Sequence, residues 1–497
     1  MSFSGGVRLT DLNDFIAPSQ ECIKPVEVKK TSATKSTVEI GSDGGYYEVT
    51  KEGSATKLEE AQVTLNDCLA CSGCVTSAET ILIAMQSHEE LISVLKANVL
   101  AKREQRNSDL RTVVVTISPQ TRASIARKYN LTTTKAGMRL AKFLKTAGVD
   151  FVFDSAFSRD LSLMASAKEF VDLYRNRQVG SLSEQTFPIL SSWCPGWICY
   201  AEKTHPEILP YISKVKSPQQ IMGVLVKTYL AQSLGCSPDK IYHVSVMPCY
   251  DKKLEASRSD FYNDMYRTRD VDCVITTGEI ERMIVEAGSS VQDLDEQSFD
   301  GQFCGQGDLN LARSAGSSAG GYLEYVMSYA ASALFGMTIP ADSIANPAGS
   351  GLKRTLVRNH PDHQEITLSH PQTGEQLLRF ATVYGFRHLQ NMVRKLKTGR
   401  CSYDYVEVAA CPGACGNGGG QLRPPETSPK SLKEWANSVE NTYKASEPCQ
   451  TPEENLALAE VLSNWLPQGI DQPWPKKVLF TSYHAVQQAT NGLGVKW

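Results

Sequence analysis

Eight of the fourteen cysteines of this 497-residue chain fall into two sets of four, and the second set is the stronger constraint on the fold. It is spread over three distant segments, SWCPGW (192–197), MPCYDKKLE (247–255) and ACPGACGNGGGQ (410–421). The thiols concerned are Cys194, Cys249, Cys411 and Cys415. Each lies close to proline or glycine, which lets the backbone wrap around a bulky group. Four thiolates supplied in this way predict a [4Fe-4S] cluster and a fold that brings the three segments together.

The first set lies near the N-terminus and combines Cys68, Cys71 and Cys74 with the more distant Cys22. The C-x2-C-x2-C run has the spacing of bacterial ferredoxins, in which a tight loop directs three sulfurs at one cube. Ala78 takes the place of the usual fourth cysteine. Cys22 is the only other cysteine in this part of the chain, and the longer loop adds only a logarithmic entropy cost. A second [4Fe-4S] cluster is predicted here, with Cys22 as the remote ligand.

Zinc and disulfides are the alternatives for these cysteines. Structural zinc sites favour two C-x2–4-C pairs or mixed Cys/His sets, and no histidine lies close to Cys68 in the sequence. The chain opens with MSFSGG and shows no signal-peptide pattern, so a reducing cytosol with free thiols is the expected compartment. The remaining six cysteines stand without metal spacing and receive no role: Cys199, Cys236, Cys273, Cys304, Cys401 and Cys449.

Length and composition limit the other possibilities. The chain is long enough for about three domains, and 41% hydrophobic with 21% charged residues is an ordinary globular composition. A formal net charge of -3 gives no basic field for nucleic acid, and no run of eighteen apolar residues could span a bilayer. Neither nucleic-acid binding nor a membrane role is expected.

The first 105 residues are predicted to form a small ferredoxin-like module. They are rich in Thr, Lys, Glu and Gly and poor in long apolar runs, so the cluster rather than a large core should hold them together. A helix is predicted over 86–109, where Leu91, Leu95 and Val99 recur every fourth residue. This helix is expected to join the module to the rest of the chain.

Residues 106–424 are predicted to form a parallel α/β body, because strand-like segments alternate with stretches long enough for crossover helices. The strand candidates are 112–117, 151–153, 187–190, 241–246, 273–276 and 405–408. Three of them run directly into the cysteine segments of the second set, and ligands of such sheets gather beyond the carboxyl ends of the strands. The remaining residues, 425–497, are predicted to form a helical C-terminal segment, with one helix over 455–465.

The three cysteine segments closely resemble the signature motifs of the [FeFe]-hydrogenase family. The resemblance extends over nearly the whole chain and implies a two-lobed hydrogenase-like α/β body, with residues 425–497 similar to the hydrogenase small subunit. In hydrogenases the cysteine that matches Cys415 bridges the cube to a diiron unit, while those matching Cys194, Cys249 and Cys411 hold only the cube. Without a diiron unit, Cys415 is expected to be an ordinary fourth ligand.

Two departures from the hydrogenase pattern favour a protein without hydrogenase activity. Trp193 stands where hydrogenases carry a proton-relaying cysteine, and an indole N–H is too weakly acidic to replace a thiol. Ala409 stands where hydrogenases usually place a methionine against the diiron unit. Lys252 and Glu255 do match the second motif, so the pocket keeps part of its polar lining.

The glycine-rich end of the third cysteine segment is expected to support the cluster. Its glycines are Gly413, Gly416 and Gly418 to Gly420. They should let backbone N–H groups approach the sulfurs and stabilise the negative charge of the cluster. A flexible glycine loop is the alternative.

A serine hydrolase is the competing enzyme class. Residues 316–320 satisfy the G-x-S-x-G pattern with Ser318 in the nucleophile position. The pattern requires a preceding strand and a following helix; a helix over 322–334 is predicted, but 309–314 offers no convincing strand. In the family resemblance this segment instead matches a glycine-rich turn that lines the diiron pocket.

Taken together, the ferredoxin-like site, the hydrogenase-like body and the terminal tryptophan resemble the eukaryotic cytosolic iron-sulfur assembly factors related to prelamin A recognition factor. This resemblance implies two [4Fe-4S] clusters and a non-enzymatic adaptor that helps to deliver clusters to cytosolic and nuclear apoproteins. The implied partners are a P-loop NTPase scaffold and a targeting complex of β-propeller and helical-repeat proteins. The implied location is the cytoplasm, with the nucleus left open. A redox enzyme with electron-transfer or residual hydrogenase chemistry is the alternative.

The last three residues, 495–497, resemble the short C-terminal tripeptide by which proteins address themselves to the targeting complex. Lys496 departs from that pattern, which favours an aliphatic residue, a small or acidic residue and then an aromatic one. Packing of Trp497 against its own protein is the alternative, since a terminal tryptophan can bury a large apolar area.

Overall fold

The structure is a computed structural model, and it describes most of the chain from residue 82 onward. The described ranges are 82–179, 186–303, 315–340, 343–344, 351–424, 428–445, 451–465 and 476–486, together with the backbone of three short strands between 36 and 57. The predicted ligands Cys22, Cys68, Cys71 and Cys74 and the tripeptide 495–497 lie outside the described residues. The assignments made for them remain predictions.

The chain divides into two compact units, Met1–Thr80 and Ile81–Trp497. Within the first unit the described strands form one antiparallel sheet in the order β1-β2-β3. Their bounds are Ser36–Ile40 (β1), Tyr46–Thr50 (β2) and Ala55–Lys57 (β3).

A four-stranded sheet, entirely parallel, forms one half of the second unit. Its order is β10-β7-β4-β5, and its strands are Thr112–Ile117 (β4), Phe151–Asp154 (β5), Ile241–Met247 (β7) and Cys273–Thr276 (β10). Val113, Val114 and Val115 are fully buried, as expected of a central parallel strand that is covered on both faces. The predicted parallel α/β architecture is confirmed for this half.

A five-stranded mixed sheet forms the other half, in the order β11-β12-β13-β14-β6. Its strands are Ile189–Ser191 (β6), Leu352–Leu356 (β11), His363–Ser369 (β12), Gln376–Tyr384 (β13) and Tyr405–Ala409 (β14). Strands β13, β14 and β6 are parallel to one another. Strand β12 is antiparallel to both of its neighbours, β11 and β13. A two-stranded ribbon of Tyr262–Asn263 (β8) and Thr268–Arg269 (β9) lies between β7 and β10 in the sequence.

Helices surround both sheets. In the described part of the chain they are His88–Arg103 (α1), Pro119–Tyr129 (α2), Thr133–Thr146 (α3), Ala156–Gln178 (α4), Pro195–Thr204 (α5), Pro218–Leu225 (α6), Ala231–Ser233 (α7), Asp251–Ala256 (α8), Thr277–Glu286 (α9), Tyr322–Phe335 (α10), Phe386–Lys397 (α11), Pro429–Ala445 (α12), Leu456–Trp465 (α13) and Lys476–Leu479 (α14). A π-helical turn, Val226–Leu230, joins α6 to α7. None of the helices described is both long and apolar enough to cross a membrane.

The predicted joining helix exists as α1, but its buried face differs from the prediction. Leu91, Val94 and Leu95 enter the core of the four-stranded sheet, whereas Val99 is 51% exposed. Asn98 is buried instead, and its side chain bonds the backbone of Arg111. A strict four-residue repeat drifts off a helix face that recurs every 3.6 residues, which is why Val99 was misplaced. The helix packs as part of the second unit.

The C-terminal helices complete the core of the body. On α13, Ala457, Leu458, Val461 and Leu462 pack into the cluster that covers the second face of the four-stranded sheet. Further on, the Lys216 N–H donates to the Leu479 carbonyl at 2.7 Å, and the Val486 N–H donates to the Glu202 carbonyl at 3.0 Å. The predicted helical character is confirmed for the described part of this segment, in which α12, α13 and α14 lie.

His243 on β7 makes the fold sensitive to acid. The ring is fully buried, with Nδ1 3.1 Å from the Asp270 carbonyl and Nε2 2.9 Å from the Thr116 hydroxyl. Burial lowers its pKa to about 3. Because the unfolded chain takes up this proton near pH 6.5, stability falls as the pH drops from there towards the folded pKa.

We expect this histidine to account for about 2 kcal/mol of the stability lost between pH 7 and pH 5. His243→Gln keeps a polar side chain but cannot take up the proton. Denaturant unfolding at the two pH values should therefore show a smaller loss for His243→Gln than for the wild type. Equal losses in both proteins would contradict this role of His243.

Candidate metal centre

The first cysteine segment places Cys194 between β6 and α5. Cys194 is the residue that precedes the first turn of α5, where Pro195 fits because its missing N–H is not needed. The Ser192 hydroxyl positions the backbone that leads to Cys194. It donates to the Val408 carbonyl at 2.7 Å and accepts from the Cys194 N–H at 3.1 Å. This pair of bonds ties the Cys194 segment to β14.

The second and third segments also follow strands. Cys249 lies between β7 and α8, and Cys411 follows β14 directly. The Ala410 N–H donates to Cys194 Sγ at 3.4 Å, so the first and third segments meet at the sulfur itself. The three cysteine segments therefore begin beyond the carboxyl ends of parallel strands, as predicted.

The four thiols lie within electrostatic reach of one another. Burial is the largest cause that raises the pKa of each thiol above its ordinary value. The pKa of Cys415 is raised further by the negative charges of the other three, and that of Cys249 by Asp251 and then by two of the other thiols. Free thiolates gathered here would repel one another, whereas iron ions stabilise the thiolate form.

Two glycines bring the third segment against the second. The Gly420 N–H donates to the Pro248 carbonyl at 2.9 Å. A Cβ at Gly418 would lie 3.0 Å from the Pro248 carbonyl carbon and closer still to its oxygen. Pro248 directly precedes Cys249, so only glycine allows the loop after Cys415 to lie this close to the Cys249 segment.

The N–H groups of four loop glycines donate to oxygen atoms, so the expected role of these glycines in letting backbone N–H groups approach the sulfurs stays a prediction. Gly413 donates to Asp362 Oδ1 at 2.8 Å and Gly416 to Ser318 Oγ at 2.8 Å. Gly418 donates to the Cys415 carbonyl and Gly420 to the Pro248 carbonyl. These bonds shape the loop around the thiols, while the backbone N–H groups of Ala410 and Trp197 reach the sulfur of Cys194.

Ser318 holds the loop that contains Cys415 in place. Its side chain is fully buried, its hydroxyl oxygen accepts from the Gly416 N–H, and its own N–H donates to Glu440 Oε1 at 3.1 Å. Residues 309–314, where a hydrolase would need its strand, lie outside the described residues. A buried hydroxyl committed to the Cys415 loop favours a structural role over that of a nucleophile.

The wall beside the thiols carries Trp193 and Lys252. Trp193 is 5% exposed, and Lys252 Nζ lies 5.1 Å from the centroid of its ring. Lys252 is itself buried and pairs with Glu255 at 2.7 Å, while the Gln219 amide donates to the same carboxylate at 3.2 Å. Ala409 is fully buried and packs with Ala319, Tyr384 and Ala414.

Sequence reasoning missed two acidic residues that hold this wall. Asp362 receives the Gly413 N–H, and Glu407 receives the Tyr384 hydroxyl and the Leu323 N–H, both at 2.8 Å. Burial raises the pKa of Glu407 to about 8. A glutamate inside the otherwise apolar strand β14 was a readable signal for a buried polar contact. Asp362 gave no comparable signal, since it lies in a polar turn.

The residues present fit an iron-sulfur cube. Among the residues described, no group of three or more His, Cys, Asp or Glu side chains is arranged to hold a single metal ion. A cube spreads its four thiolate ligands over four iron atoms rather than around one point. The donor set of four free thiols, the glycine contacts with Pro248 and the indole N–H of Trp193, which has no acceptor among the described residues, all suit such a group.

Comparison with known proteins assigns the chain to a family. Residues 111–419 match the family described as iron only hydrogenase large subunit, C-terminal domain. The cytosolic iron-sulfur assembly component 3 of Rattus norvegicus is 50% identical over 497 residues, which is 100% of this chain and 99% of that protein. The chain belongs to this family of cytosolic iron-sulfur assembly factors. The Xenopus tropicalis cytosolic Fe-S cluster assembly factor narfl is 47% identical over 100% of this chain and 99% of that protein.

Solved structures place the fold of this assembly-factor family member among hydrogenases. The apo [FeFe]-hydrogenase HydA1 of Chlamydomonas reinhardtii matches with a TM-score of 0.62 and 27% identity, over 76% of this chain and 94% of that chain. An [FeFe]-hydrogenase studied for oxygen damage to its H cluster matches with a TM-score of 0.64, 27% identity and the same coverage. The predicted hydrogenase-like fold is confirmed.

Proposed function

We propose that this protein binds two [4Fe-4S] clusters and acts as a non-enzymatic adaptor in cytosolic iron-sulfur protein assembly. The observation that carries the proposal is a complete set of four converging thiols beside a wall that differs from the hydrogenase pattern at Trp193 and Ala409. The names of relatives that match from end to end support the same role.

In this proposal one cluster is held by Cys194, Cys249, Cys411 and Cys415. A bound [4Fe-4S] cluster supplies one-electron chemistry or iron and sulfide for transfer. The chain's own residues shape its site: Ser192 and Ala410 position the Cys194 sulfur, Gly418 and Gly420 seat the loop on Pro248, and Lys252 with Glu255 keeps the neighbouring wall polar but electrically balanced.

The second cluster is assigned to Cys22, Cys68, Cys71 and Cys74 on the ferredoxin-like spacing alone. The division into an N-terminal module (1–105), a body (106–424) and a C-terminal segment (425–497) belongs to the same proposal. A P-loop NTPase scaffold would supply the clusters, and a targeting complex of β-propeller and helical-repeat proteins would receive them. The proposed location is the cytosol, in agreement with the names of the relatives.

Depletion and rescue in cells test this function. Loss of the protein should lower the activity of a cytosolic [4Fe-4S] enzyme and leave a mitochondrial [4Fe-4S] enzyme unchanged. The wild type and Cys273→Ala should restore the cytosolic enzyme, because Cys273 is a buried thiol on β10 outside the proposed site, whereas Cys411→Ala should not. Full rescue by Cys411→Ala, or an equal fall of the mitochondrial enzyme, would argue against the proposal.

Hydrogen turnover is expected to be absent. Trp193 offers no titrating group where a hydrogenase carries its relay cysteine, and its ring stands under Lys252 in a packed wall. Supplying a synthetic diiron cofactor under strict anaerobiosis should therefore give no hydrogen above the background of the cofactor alone. Gas chromatography measures this directly, and sustained evolution would favour the alternative of a redox enzyme with residual hydrogenase chemistry.

A further inference from the structure

Trp193 carries a buried hydrogen-bond donor for which the described residues provide no acceptor. The side chain is 5% exposed, and the indole Nε1 has no hydrogen-bond partner among them. Buried N–H groups in folded proteins are nearly always bonded, so this donor is available to a group bound at the site. Trp193 is also the residue directly before the thiol of Cys194.

The donor lies on the side of the wall that adjoins the Cys415 loop. Nε1 is 3.7 Å from the position that a Cβ on Gly320 would occupy. Gly320 belongs to the turn in which Ser318 accepts the Gly416 N–H, and Cys415 packs against the same apolar cluster that contains Trp193. The N–H is therefore placed next to the region in which the four thiols converge.

Lys252 fixes the ring and strengthens the donor. Its ammonium group lies 5.1 Å from the ring centroid and is held there by the 2.7 Å contact with Glu255. A cation over the face of an indole withdraws electron density from the ring, which makes the N–H a better donor. Trp193 belongs to the same buried apolar cluster as Tyr322 and Leu323, so little free space remains for its ring to turn.

We propose that the indole N–H of Trp193 donates a hydrogen bond to a sulfur of the cluster held by Cys194, Cys249, Cys411 and Cys415, and so raises the reduction potential of that cluster. Hydrogen bonds to cluster sulfurs stabilise the more negative, reduced state. Trp193 thus acts as a positioning and tuning residue at the place where a hydrogenase carries its relay cysteine. This inference rests on the cluster-binding part of the proposed function.

Trp193→Phe tests the inference, because phenylalanine keeps a ring under Lys252 but removes the N–H. Redox titration followed by EPR should show an unchanged iron content and a lower midpoint potential. At the wild-type midpoint the ratio of oxidised to reduced cluster should rise several-fold, where a tenfold change corresponds to 59 mV for one electron. Trp465→Phe is the control for the loss of an indole N–H away from the site, since the Trp465 N–H donates to the Thr228 hydroxyl at 3.2 Å and its ring packs against a different apolar cluster.

A second measurement needs no substitution and stays decisive if Trp193→Phe fails to fold. Electron-nuclear double resonance of the reduced wild type, in H2O and in D2O, should reveal an exchangeable proton coupled to the cluster. A 15N label on the indoles should add a weak nitrogen coupling, and its absence would contradict the indole donor.

The outcomes separate the inference from the proposed function. A wild type that holds no cluster at the four thiols refutes the proposed function. A cluster that is present, with equal potentials in the wild type and Trp193→Phe and no exchangeable indole proton, overturns only the role of Trp193. Equal shifts in Trp193→Phe and Trp465→Phe would likewise overturn it, because the effect would not depend on the position of this donor.

Discussion

Cys249→Ala is expected to lower the iron content from about eight atoms per chain to about four. Cys249 is the one thiol that the second cysteine segment contributes, and it lies within electrostatic reach of Cys411 and Cys194. With alanine in this place a cube would lack one of its four protein ligands. Anaerobic purification with iron and acid-labile sulfide counts, together with EPR of the reduced protein, measures the loss.

Two further variants test whether the loss of iron is specific to the site that contains Cys249. Cys273→Ala removes a fully buried thiol on β10 and should retain all the iron. Cys68→Ala should show the reciprocal loss, with the cluster of the body intact, because the body has its own large core. Loss of every iron atom from a folded Cys68→Ala protein would contradict independent sites, and full iron in Cys249→Ala would exclude Cys249 as a ligand.

Gly418→Ala should destabilise the body by roughly 1–3 kcal/mol and weaken retention of its cluster. The backbone at Gly418 has φ -57°, which alanine adopts freely, so the effect would arise from contact alone. The new Cβ would meet the Pro248 carbonyl and push the Cys415 loop away from the Cys249 segment. Thermal unfolding, and the rate at which a chelator removes iron, report the two consequences.

Gly301→Ala is the control for the loss of a glycine. Gly301 is exposed at the start of a short helical turn, and nothing lies within 4 Å of the position that its Cβ would occupy. This variant should match the wild type in both measurements. If Gly418→Ala also matched the wild type, the close approach of the loop to Pro248 would not be needed to hold the site.

The sequence predicted more of the site than of the fold around it. Cysteines flanked by proline and glycine form a pattern that has few other physical explanations, so the convergence of Cys194, Cys249 and Cys411 was foreseeable. The buried runs that form β4, β7 and β14 are also distinctive, because parallel strands covered on both faces have nearly continuous apolar sequences.

The strands β11, β12 and β13 were not predicted, and the reason is physical. In β12 buried and partly exposed positions are interspersed, and its sequence HQEITLS has only two strongly apolar residues. Such a strand is held by its neighbours on both sides rather than by its own hydrophobicity, so its signal lies in pairings that a single sequence does not reveal.

The partners of the loop N–H groups could not be predicted for a similar reason. Asp362 and Ser318 are distant in the sequence from the glycines that they bond. Polar residues of this kind occur in many loops, and only the three-dimensional fold decides which backbone donor each of them meets. The sequence therefore indicated a shaped loop without indicating what shapes it.

The pairing of β6 with β14 has a consequence for the time at which the site can form. Ile189 pairs with Tyr405, so the strand that leads to Cys194 leaves the ribosome long before β14, the strand beside it in the sheet. At 5–20 residues per second the intervening segment takes roughly 10 to 40 s to synthesise. During that interval Cys194 is a free thiol on a nascent chain, and Cys415 emerges later still. In the proposed function, iron and sulfide can therefore reach the complete set of four thiols only near the end of translation or after it.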